Sequence, residues 1–246
     1  MSDETGECWP SVDLRHFDSL PSTNDEAVRL ARAGAPEGTA VWANEQASGR
    51  GRRGRRWVSP PGNLYLSVVA RPALPLTLAG RIAVSCGLGI ARSLGLRSKW
   101  PNDLYLAGRK VGGILVEARA GAGGMLDYAV VGVGINVLSR PDDAPGAQPA
   151  ASLLEHGMER PLEGLARDVA RAILIACRAA PAPEWREGWE SVDLAAGPIR
   201  VLQDGGDWEG AGESLDEDGA LLARVGGSLR RVTDGDVSVR PLRPGG

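Results

Sequence analysis

Residues 104–133 read LYLAGRKVGGILVEARAGAGGMLDYAVVGV. The turns inside this stretch, Ala107-Gly108 and the cluster Gly121 to Gly124, are short and rich in glycine. Short turns join antiparallel strands, whereas parallel neighbours need a long crossover connection. The stretch therefore predicts an α+β fold rather than a doubly wound parallel sheet. Its three β-strand candidates are Leu104 to Leu106, Val111 to Ala118 and Leu126 to Val133.

A helix is expected after a short N-terminal lead-in, beginning at residues 21–23. Thr23 and Glu26 have the spacing of a capping box, so Thr23 is expected to cap the first turn. Apolar residues then recur at helical intervals until Gly34, where the helix is expected to end. The hydroxyl and amide groups at the start of this helix can also face a pocket.

Further elements follow from apolar periodicity in the rest of the first 193 residues. Residues 139–150 are rich in Pro, Ala and Asp and are expected to form a mobile surface loop. The remaining predicted strands are 14–17, 39–43 and 64–69, and the remaining predicted helices are Leu76 to Leu94, Pro161 to Arg178 and Glu184 to Val192.

A change of pattern near residue 194 indicates a second domain. Short β candidates separated by Gly and Asp turns follow, and their spacing predicts a small β-barrel of roughly fifty residues. We therefore expect a domain of residues 1–193 and a C-terminal domain of residues 194–246. The β candidates are Pro198 to Gln203, Trp208 to Gly212, Ala220 to Val225, Leu229 to Val232 and Val237 to Arg240.

The composition of the 246 residues is that of a folded globular protein, with 43% hydrophobic and 24% charged residues. The most apolar stretch, residues 76–96, is interrupted by Arg81 and Arg92, which argues against a membrane span. The polar, acidic N-terminus argues against a secretory signal, so a cytoplasmic location is expected. Three scattered cysteines and two histidines exclude a disulfide framework and a His-rich metal site.

Basic residues are distributed unevenly along a chain whose formal net charge is −3. Residues 48–57 read SGRGRRGRRW and concentrate arginines between Arg50 and Arg56. Glycines let backbone N–H groups approach an anion, and arginines add charge and forked donors, so this loop suits a carboxylate held beside phosphates. Lysine occurs only at Lys99 and Lys110, which indicates that these positions need a compact ammonium rather than a guanidinium.

Three further segments combine glycine or amide residues with charge. KWPND at 99–103 offers amide and carboxylate oxygens to a metal, a hydroxyl or an amine. GRKVGG at 108–113 has two glycines at the start of an apolar strand, where a close approach to the backbone is expected, and Lys110 beside them. GVGIN at 132–136 repeats the glycines and ends in Asn136. Taken singly, each segment also fits an ordinary turn or a glycine bulge.

Together these segments resemble, in order and spacing, the biotin–protein ligase (biotin–[acetyl-CoA-carboxylase] ligase) family of the monofunctional type. The resemblance covers most of residues 12–140, and the C-terminal segment is similar to the SH3-like barrel of that family. It rests on STNDEA from Ser22, EQASGRGRRGRRW from Glu45, GNLYLS from Gly62, KWPNDLYL from Lys99, GRKVGGILVE from Gly108 and GVGINV from Gly132.

The resemblance implies an α+β catalytic domain on a mixed β-sheet, a small C-terminal SH3-like β-barrel, and a reaction in two steps. Biotin attacks the α-phosphate of Mg²⁺-bound ATP to give biotinyl-5′-AMP and pyrophosphate. A lysine of a biotin carboxyl carrier protein then attacks this mixed anhydride and releases AMP. Both steps need charge neutralisation and positioning more than acid–base groups, in agreement with the scarcity of histidine.

The resemblance also assigns roles to residues by their position in the motifs. Lys110, Arg50 and Asp103 are the implied catalytic residues, with Lys110 stabilising charge between the carboxylate and the α-phosphate. Asp103 and Asn102 are the implied metal ligands, and Asp103 is a candidate for orienting the acceptor lysine. Biotin is assigned to Ser22, Thr23, Asn24, Gln46, Gly49, Arg50, Gly51, Lys110, Gly112, Gly113, Gly132 and Gly134. ATP and the adenylate are assigned to Arg52, Arg53, Arg55, Trp57, Asn102, Lys110 and Asn136.

Two alternatives remain open at this point. A lipoate–protein ligase or octanoyltransferase would share the fold and acylate carrier lysines, but the motifs of those enzymes are missing. An Arg/Gly RNA-binding module would explain the basic loop, but the acidic chain argues against it. The repressor members of the family carry an N-terminal helix-turn-helix, for which about twenty residues before Ser22 are too few, so no DNA binding is expected. The protein is expected to act without a membrane, as a monomer or a homodimer.

Overall fold

The computed structural model describes residues 10–141, 149–203, 205–233 and 237–242, so most of the predicted loop 139–150 lies outside the described residues. The strands of the first sheet are β1 (Asp13–Leu20), β2 (Thr39–Gln46), β3 (Leu64–Ala70), β4 (Arg97–Lys99), β5 (Asp103–Leu106), β6 (Arg109–Ala120) and β7 (Leu126–Ile135). Those of the second sheet are β8 (Gly197–Gln203), β9 (Trp208–Leu215), β10 (Leu221–Val225), β11 (Ser228–Val232) and β12 (Val237–Pro241). The α-helices are α1 (Thr23–Arg32), α2 (Gly80–Leu94), α3 (Leu162–Ala179) and α4 (Trp189–Val192).

The first sheet has the strand order β1-β2-β3-β7-β6-β5-β4. Strands β1 and β2 run parallel and the other neighbouring pairs are antiparallel, so the sheet is mixed. This confirms the predicted α+β fold and the antiparallel strands of residues 104–133. Strand β4 escapes prediction because three residues are too few to show a periodicity.

Helices cover both faces of the first sheet. Helices α2 and α3 pack on one face, in a core that contains Leu66, Ile82 and Ile173. Helix α1 packs on the other face through Ala27 and Ala31. Strand β3 is therefore buried along its whole length, as expected for a strand between two layers of helices. No helix among the described residues has the length and apolar character needed to cross a bilayer.

The second sheet is antiparallel, with the strand order β11-β10-β9-β8-β12, and it confirms the predicted β candidates of the C-terminal part. Its apolar interior is continuous with the first domain, because Ile199 lies in one cluster with Leu88 of α2 and Trp100. Trp100 Nε1 also donates a hydrogen bond to Gly219 O at 2.9 Å. The second sheet is thus packed against the turn between β4 and β5. The domain boundary at residue 193 stays a prediction.

The start of α1 differs from the prediction. Ser22, rather than Thr23, is the N-cap, and its Oγ accepts a hydrogen bond from the backbone N–H of Asp25 at 3.4 Å. Glu26, the predicted partner in the capping box, instead forms an ion pair with Arg29 at 2.7 Å. Serine and threonine are both good N-caps, so residue type does not decide between neighbours. The hydroxyl group of Thr23 does not cap the helix and instead bonds side chains of β2 and β3.

Two other helices differ from the prediction at their ends. Helix α2 begins at Gly80, because Leu76–Leu78 forms a separate 3₁₀ turn with the same apolar spacing. The predicted helix 184–192 is divided into the 3₁₀ turn Pro183–Arg186 and helix α4. Gly188 separates them, with a φ of +69° that no α-helix contains.

Candidate active site

A cleft of about 710 Å³ opens at one end of the first sheet. Its walls come from the start of α1, the arginine-rich loop 48–57, the turn 99–103, strands β6 and β7, and strand β12 of the second sheet. Segments that are far apart in the sequence therefore meet in one cavity. The predicted site residues that line it are Ser22, Thr23, Asn24, Gln46, Arg50, Gly51, Arg52, Arg53, Arg55, Trp57, Asn102, Asp103, Lys110, Gly113, Gly132, Gly134 and Asn136.

Two predicted ligand-binding residues, Gly49 and Gly112, are not part of this lining. A Cβ atom at Gly112 would lie 2.7 Å from Gly134 O, so this glycine allows β6 and β7 to approach each other. A Cβ atom at Gly49 would lie 2.4 Å from Trp57 O, so this glycine closes the base of the arginine-rich loop. In the structure these glycines allow close backbone packing, and their assignment to biotin stays a prediction.

A polar pocket lies where α1 meets β2 and β3. Thr23 donates to Gln46 Oε1 from its backbone N–H at 2.8 Å and from its hydroxyl at 3.1 Å. Ser67 Oγ lies 2.6 Å from Asn24 Oδ1 and 2.8 Å from Thr23 Oγ1. Gly132 faces the same group, since a Cβ atom there would lie 2.0 Å from Asn24 Oδ1. The glycine is therefore required by the position of the amide side chain.

The amide nitrogen of Asn24 is a buried donor beside this pocket. Nδ2 is buried and has no hydrogen-bond acceptor among the described residues. A buried N–H without an acceptor costs about 1–3 kcal/mol, and native proteins rarely retain one without a reason. A ligand carbonyl oxygen would satisfy this donor. The hydroxyl and amide residues that line this part of the cleft suit a polar, uncharged group.

The floor of the cleft is formed by Gly113 and Gly134, and the indole ring of Trp57 lies over them. A Cβ atom at Gly134 would come within 2.7 Å of Trp57 Cε2, and one at Gly113 within 3.5 Å of Cζ3. Lys110 Nζ lies 5.7 Å from the centroid of the ring, which is the distance of a cation–π contact. These glycines, which were predicted to lie against the ligand, here lie against Trp57.

Arg50 is held at the mouth of the cleft by two carboxylates. Its Nη2 donates to Asp25 Oδ1 at 2.5 Å and to Glu117 Oε1 at 2.7 Å. These exposed ion pairs contribute little to stability, typically about 0–1 kcal/mol. They orient the guanidinium, however, because they tie the arginine-rich loop to both α1 and β6.

Arg52 lies deeper than Arg50 and is bound to the turn between β4 and β5. Its Nη1 donates to Asn102 Oδ1 at 2.7 Å, while Asn102 Nδ2 donates to Ile114 O at 2.7 Å. Burial, together with the neighbouring charge of Arg53, lowers the pKa of Arg52 to about 10, so the group stays protonated at neutral pH. Arg52 is therefore a partly desolvated cation at a fixed position.

Both lysines of the chain bind one carboxylate. Lys110 Nζ lies 2.5 Å from Asp103 Oδ1, and Lys99 Nζ lies 3.0 Å from Asp103 Oδ2. Burial raises the pKa of Asp103, but the two ammonium groups outweigh burial and hold it below its ordinary value. Burial lowers the pKa of Lys99, and the charge of Asp103 partly compensates. With two cations on one anion, the cluster keeps an excess of positive charge.

Asp103 and Asn102 do not fit the magnesium site that the sequence predicts. Mg²⁺ requires free oxygen ligands in octahedral geometry. Both oxygens of Asp103 already face ammonium groups, and Asn102 Oδ1 accepts from Arg52. Among the described residues, no three His, Cys, Asp or Glu side chains are close enough to hold a metal ion. We therefore derive no step from a metal bound by these side chains.

The structure also brings residues into or behind the cleft that the sequence analysis does not assign. Ser67 is buried behind the cleft, where it bonds Thr23 and Asn24, and its signal in the sequence is a hydroxyl residue within the apolar strand β3. Lys99 also has a signal in the sequence, because lysine is rare in this chain. Residues 238–240 of β12 line the cleft without any such signal, since they belong to the second domain. Asn136, which is assigned to ATP, donates from Nδ2 to Ala151 O at 3.0 Å and so also anchors the end of β7.

Comparison with known proteins identifies the family. Residues 16–136 match the model of the biotin/lipoate A/B protein ligase family. A biotin–[acetyl-CoA-carboxylase] ligase of Paracoccus denitrificans is 36% identical, over 82% of this chain and 90% of that protein. The chain belongs to the biotin/lipoate A/B protein ligase family. Residues 16–136, which match the family model, contain the polar pocket, the arginine-rich loop and both lysines.

The similarity of this chain to two further proteins of the ligase family includes the second domain. The bifunctional ligase/repressor BirA of Bacillus subtilis is 31% identical, over 92% of this chain and 74% of that protein. The solved structure of the biotin protein ligase from Aquifex aeolicus in complex with biotin and ATP aligns with a TM-score of 0.71. That alignment has 27% identity and covers 93% of this chain and 98% of the other. The predicted family and fold are thereby confirmed.

Proposed function

We propose that this protein is a biotin–[acetyl-CoA-carboxylase] ligase. It activates biotin as biotinyl-5′-AMP and transfers biotin to a lysine of a biotin carboxyl carrier protein. The observation that best supports this function is a single cleft that joins a buried polar pocket to a cluster of cations. The pocket suits the neutral ureido head of biotin, and the cations suit its carboxylate beside the phosphates of ATP.

The polar pocket binds the ureido group. This group has one carbonyl oxygen and two N–H groups, and the carbonyl is the acceptor that the buried Nδ2 donor of Asn24 lacks. The hydroxyls of Ser22 and Thr23 and the side chain of Gln46 supply further polar contacts. Gly132 and Gly134 leave room for the side chains of Asn24 and Trp57 beside this pocket. Biotin therefore lies with its tail directed towards the arginine-rich loop.

The cations act on the first step. A carboxylate oxygen of biotin attacks the α-phosphorus of ATP, a P–O bond to the leaving group breaks, and pyrophosphate departs with the bonding electrons. The reactants repel each other, so Lys110 and Arg50 neutralise the carboxylate and the α-phosphate as they approach. Arg52, Arg53 and Arg55 hold phosphate oxygens, and Trp57 packs against the adenylate. Magnesium accompanies ATP on its phosphates.

The second step uses the same anion-binding groups. The neutral amine of the carrier lysine attacks the acyl carbon of biotinyl-5′-AMP, the bond from that carbon to the phosphate oxygen breaks, the nitrogen loses a proton to water as the amide forms, and AMP leaves with its charge held by the cations. The role of Asp103 in orienting that amine stays a prediction, and both of its oxygens bind ammonium groups in this structure. Its contacts support a different role, as the counter-ion of Lys99 and Lys110.

The alternative functions have less support. A lipoate ligase needs an apolar channel for an aliphatic chain, whereas this pocket is lined by the polar residues Ser22, Thr23, Asn24 and Gln46. The similar proteins named above carry biotin ligase or ligase/repressor names. An RNA-binding module would display its arginines on an open surface, whereas Arg52 is partly buried and bound to Asn102.

Asn24→Ala tests the assignment of biotin to the polar pocket. We expect the KM for biotin to rise about tenfold and kcat to stay within about twofold, because the lost hydrogen bond serves the ground state and the transition state alike. Initial rates of biotin-dependent ATP–pyrophosphate exchange measure both constants. Asn44→Ala is the matched control, since the Asn44 amide bonds Asp18 on β1 outside the cleft. An unchanged KM in Asn24→Ala contradicts the assignment.

A further inference from the structure

The two lysines that share Asp103 differ in their access to a ligand. The side chain of Lys110 is 27% exposed and borders the open cleft, whereas that of Lys99 is 3% exposed. Lys110 can therefore contact a bound anion directly. Lys99 is almost completely covered by protein, and a role in the reaction has to be exerted through its neighbours.

The contacts of Lys99 connect three parts of the molecule. Asp103 is its direct cross-strand partner between β4 and β5, and the two side chains form an ion pair. Its Nζ also donates to Val239 O of β12 at 3.2 Å, a contact between residues 140 positions apart in the sequence. The ring of Tyr105 lies 5.4 Å from Nζ. The ammonium thus joins the turn that carries Asp103 to the second sheet.

The position of Lys110 depends on which oxygen of Asp103 it can use. Lys110 follows the turn between β5 and β6 and pairs across the strands with Tyr105, next to an irregularity in the register. An irregularity of this kind redirects side chains at a strand end. Lys99 binds Oδ2 and Lys110 binds Oδ1, and in this arrangement the Lys110 ammonium stays at the cleft.

We propose that Lys99 is a positioning residue that sets the place of the Lys110 ammonium through Asp103 and is itself held by the backbone of the second sheet. This inference rests on the function proposed above. Without Lys99, Asp103 has a free buried oxygen and turns both oxygens towards Lys110. Lys110 is then drawn towards Asp103 and away from the anion that it stabilises.

Lys99→Met is the first test, because methionine has a similar length and no charge or donor. We expect kcat for biotin-dependent pyrophosphate exchange to fall by about tenfold to a hundredfold, the scale of a misplaced catalytic group, while the KM for biotin stays within about twofold. Arg97→Met is the matched control. Arg97 is on the same strand, but its Nε donates to Val192 O at 2.9 Å and it has no contact with Asp103 among the described hydrogen bonds and ion pairs.

The rarity of lysine permits a second readout that does not depend on activity. Labelling the protein with lysine carrying ¹³C at Cε gives two side-chain signals, one from each of Lys99 and Lys110. Lys110→Arg assigns them. We expect the Lys110 signal to shift in Lys99→Met and to remain in place in Arg97→Met. If Lys99→Met does not fold, Lys99→Gln carries the same test, because it keeps a donor of smaller size and removes the charge.

The outcomes separate this inference from the proposed function. A shifted Lys110 signal together with a lower kcat and an unchanged KM supports the positioning role. A folded Lys99 variant with wild-type kcat and an unmoved Lys110 signal overturns it. If the wild-type protein shows no biotin-dependent exchange, the proposed function is overturned instead. The NMR comparison still tests whether Lys99 sets the position of Lys110, because it does not depend on activity.

Discussion

Lys110→Ala is expected to lower the rate of biotinyl-5′-AMP synthesis by at least about 10²–10³-fold, the loss seen when a donor to a developing negative charge is removed. In this structure Lys110 is the partly exposed ammonium of the cluster on Asp103. A compact ammonium can touch the carboxylate and the α-phosphate together, which a planar guanidinium does less well. The loss should therefore appear in kcat, because Lys110 acts in the chemical step, when the carboxylate and the α-phosphate approach each other.

The fold should survive this substitution. Lys110 is at the surface of the cleft, and Lys99 continues to neutralise Asp103 after the change. Thermal unfolding checks the fold, and direct binding of biotin checks the polar pocket. Arg109→Ala is the matched control, because it removes the neighbouring cation, which does not line the cleft. Near-normal synthesis of biotinyl-5′-AMP by folded Lys110→Ala would refute the role given to Lys110.

Arg52→Gly is expected to release the activated intermediate about ten to a hundredfold faster, which is the effect of losing a hydrogen bond from a charged group. Arg52 is a partly buried cation anchored to Asn102 at 2.7 Å, where a phosphate can be held without a large rearrangement. A mixed anhydride that escapes into solution acylates any accessible amine. Labelling should therefore spread from the carrier lysine to an unrelated protein.

The measurement is a pulse of labelled biotin with ATP, followed by the rate at which labelled biotinyl-5′-AMP leaves the enzyme. A carrier domain and serum albumin in the same mixture report the specificity of transfer. Arg119→Gly is the control, because Arg119 is an exposed arginine of β6 that does not line the cleft. Undiminished retention of the intermediate by Arg52→Gly would count against the role of Arg52.

Much of the site could be predicted because its chemistry requires unusual residue types at single positions. Glycines within apolar strands are unfavourable unless something needs the space, and Gly132 and Gly134 do face other side chains closely. Lysine is rare in a chain that otherwise uses arginine, and this rarity indicated a role for Lys99 and Lys110. The structure brings both to one carboxylate. The alternation of short turns and strands in residues 104–133 predicted their antiparallel order.

Other features depend on contacts that no local pattern encodes. The bond from Lys99 to Val239 O joins residues 140 positions apart, and the presence of β12 in the cleft follows from the packing of two domains. The N-cap of α1 is decided between two good capping residues by the backbone around Ser22. Gly112 resembles its neighbour Gly113 in sequence, yet it faces the adjacent strand rather than the cleft.

The most direct test of the account is ATP–pyrophosphate exchange by the purified protein with Mg²⁺, comparing biotin, lipoate, octanoate and no acid. We predict exchange with biotin alone, because the polar pocket that contains Asn24 selects the ureido group and the cations near Lys110 act on its carboxylate. Exchange with lipoate or octanoate in place of biotin would contradict the assignment of the pocket. The absence of exchange with every acid would contradict the proposed activity itself.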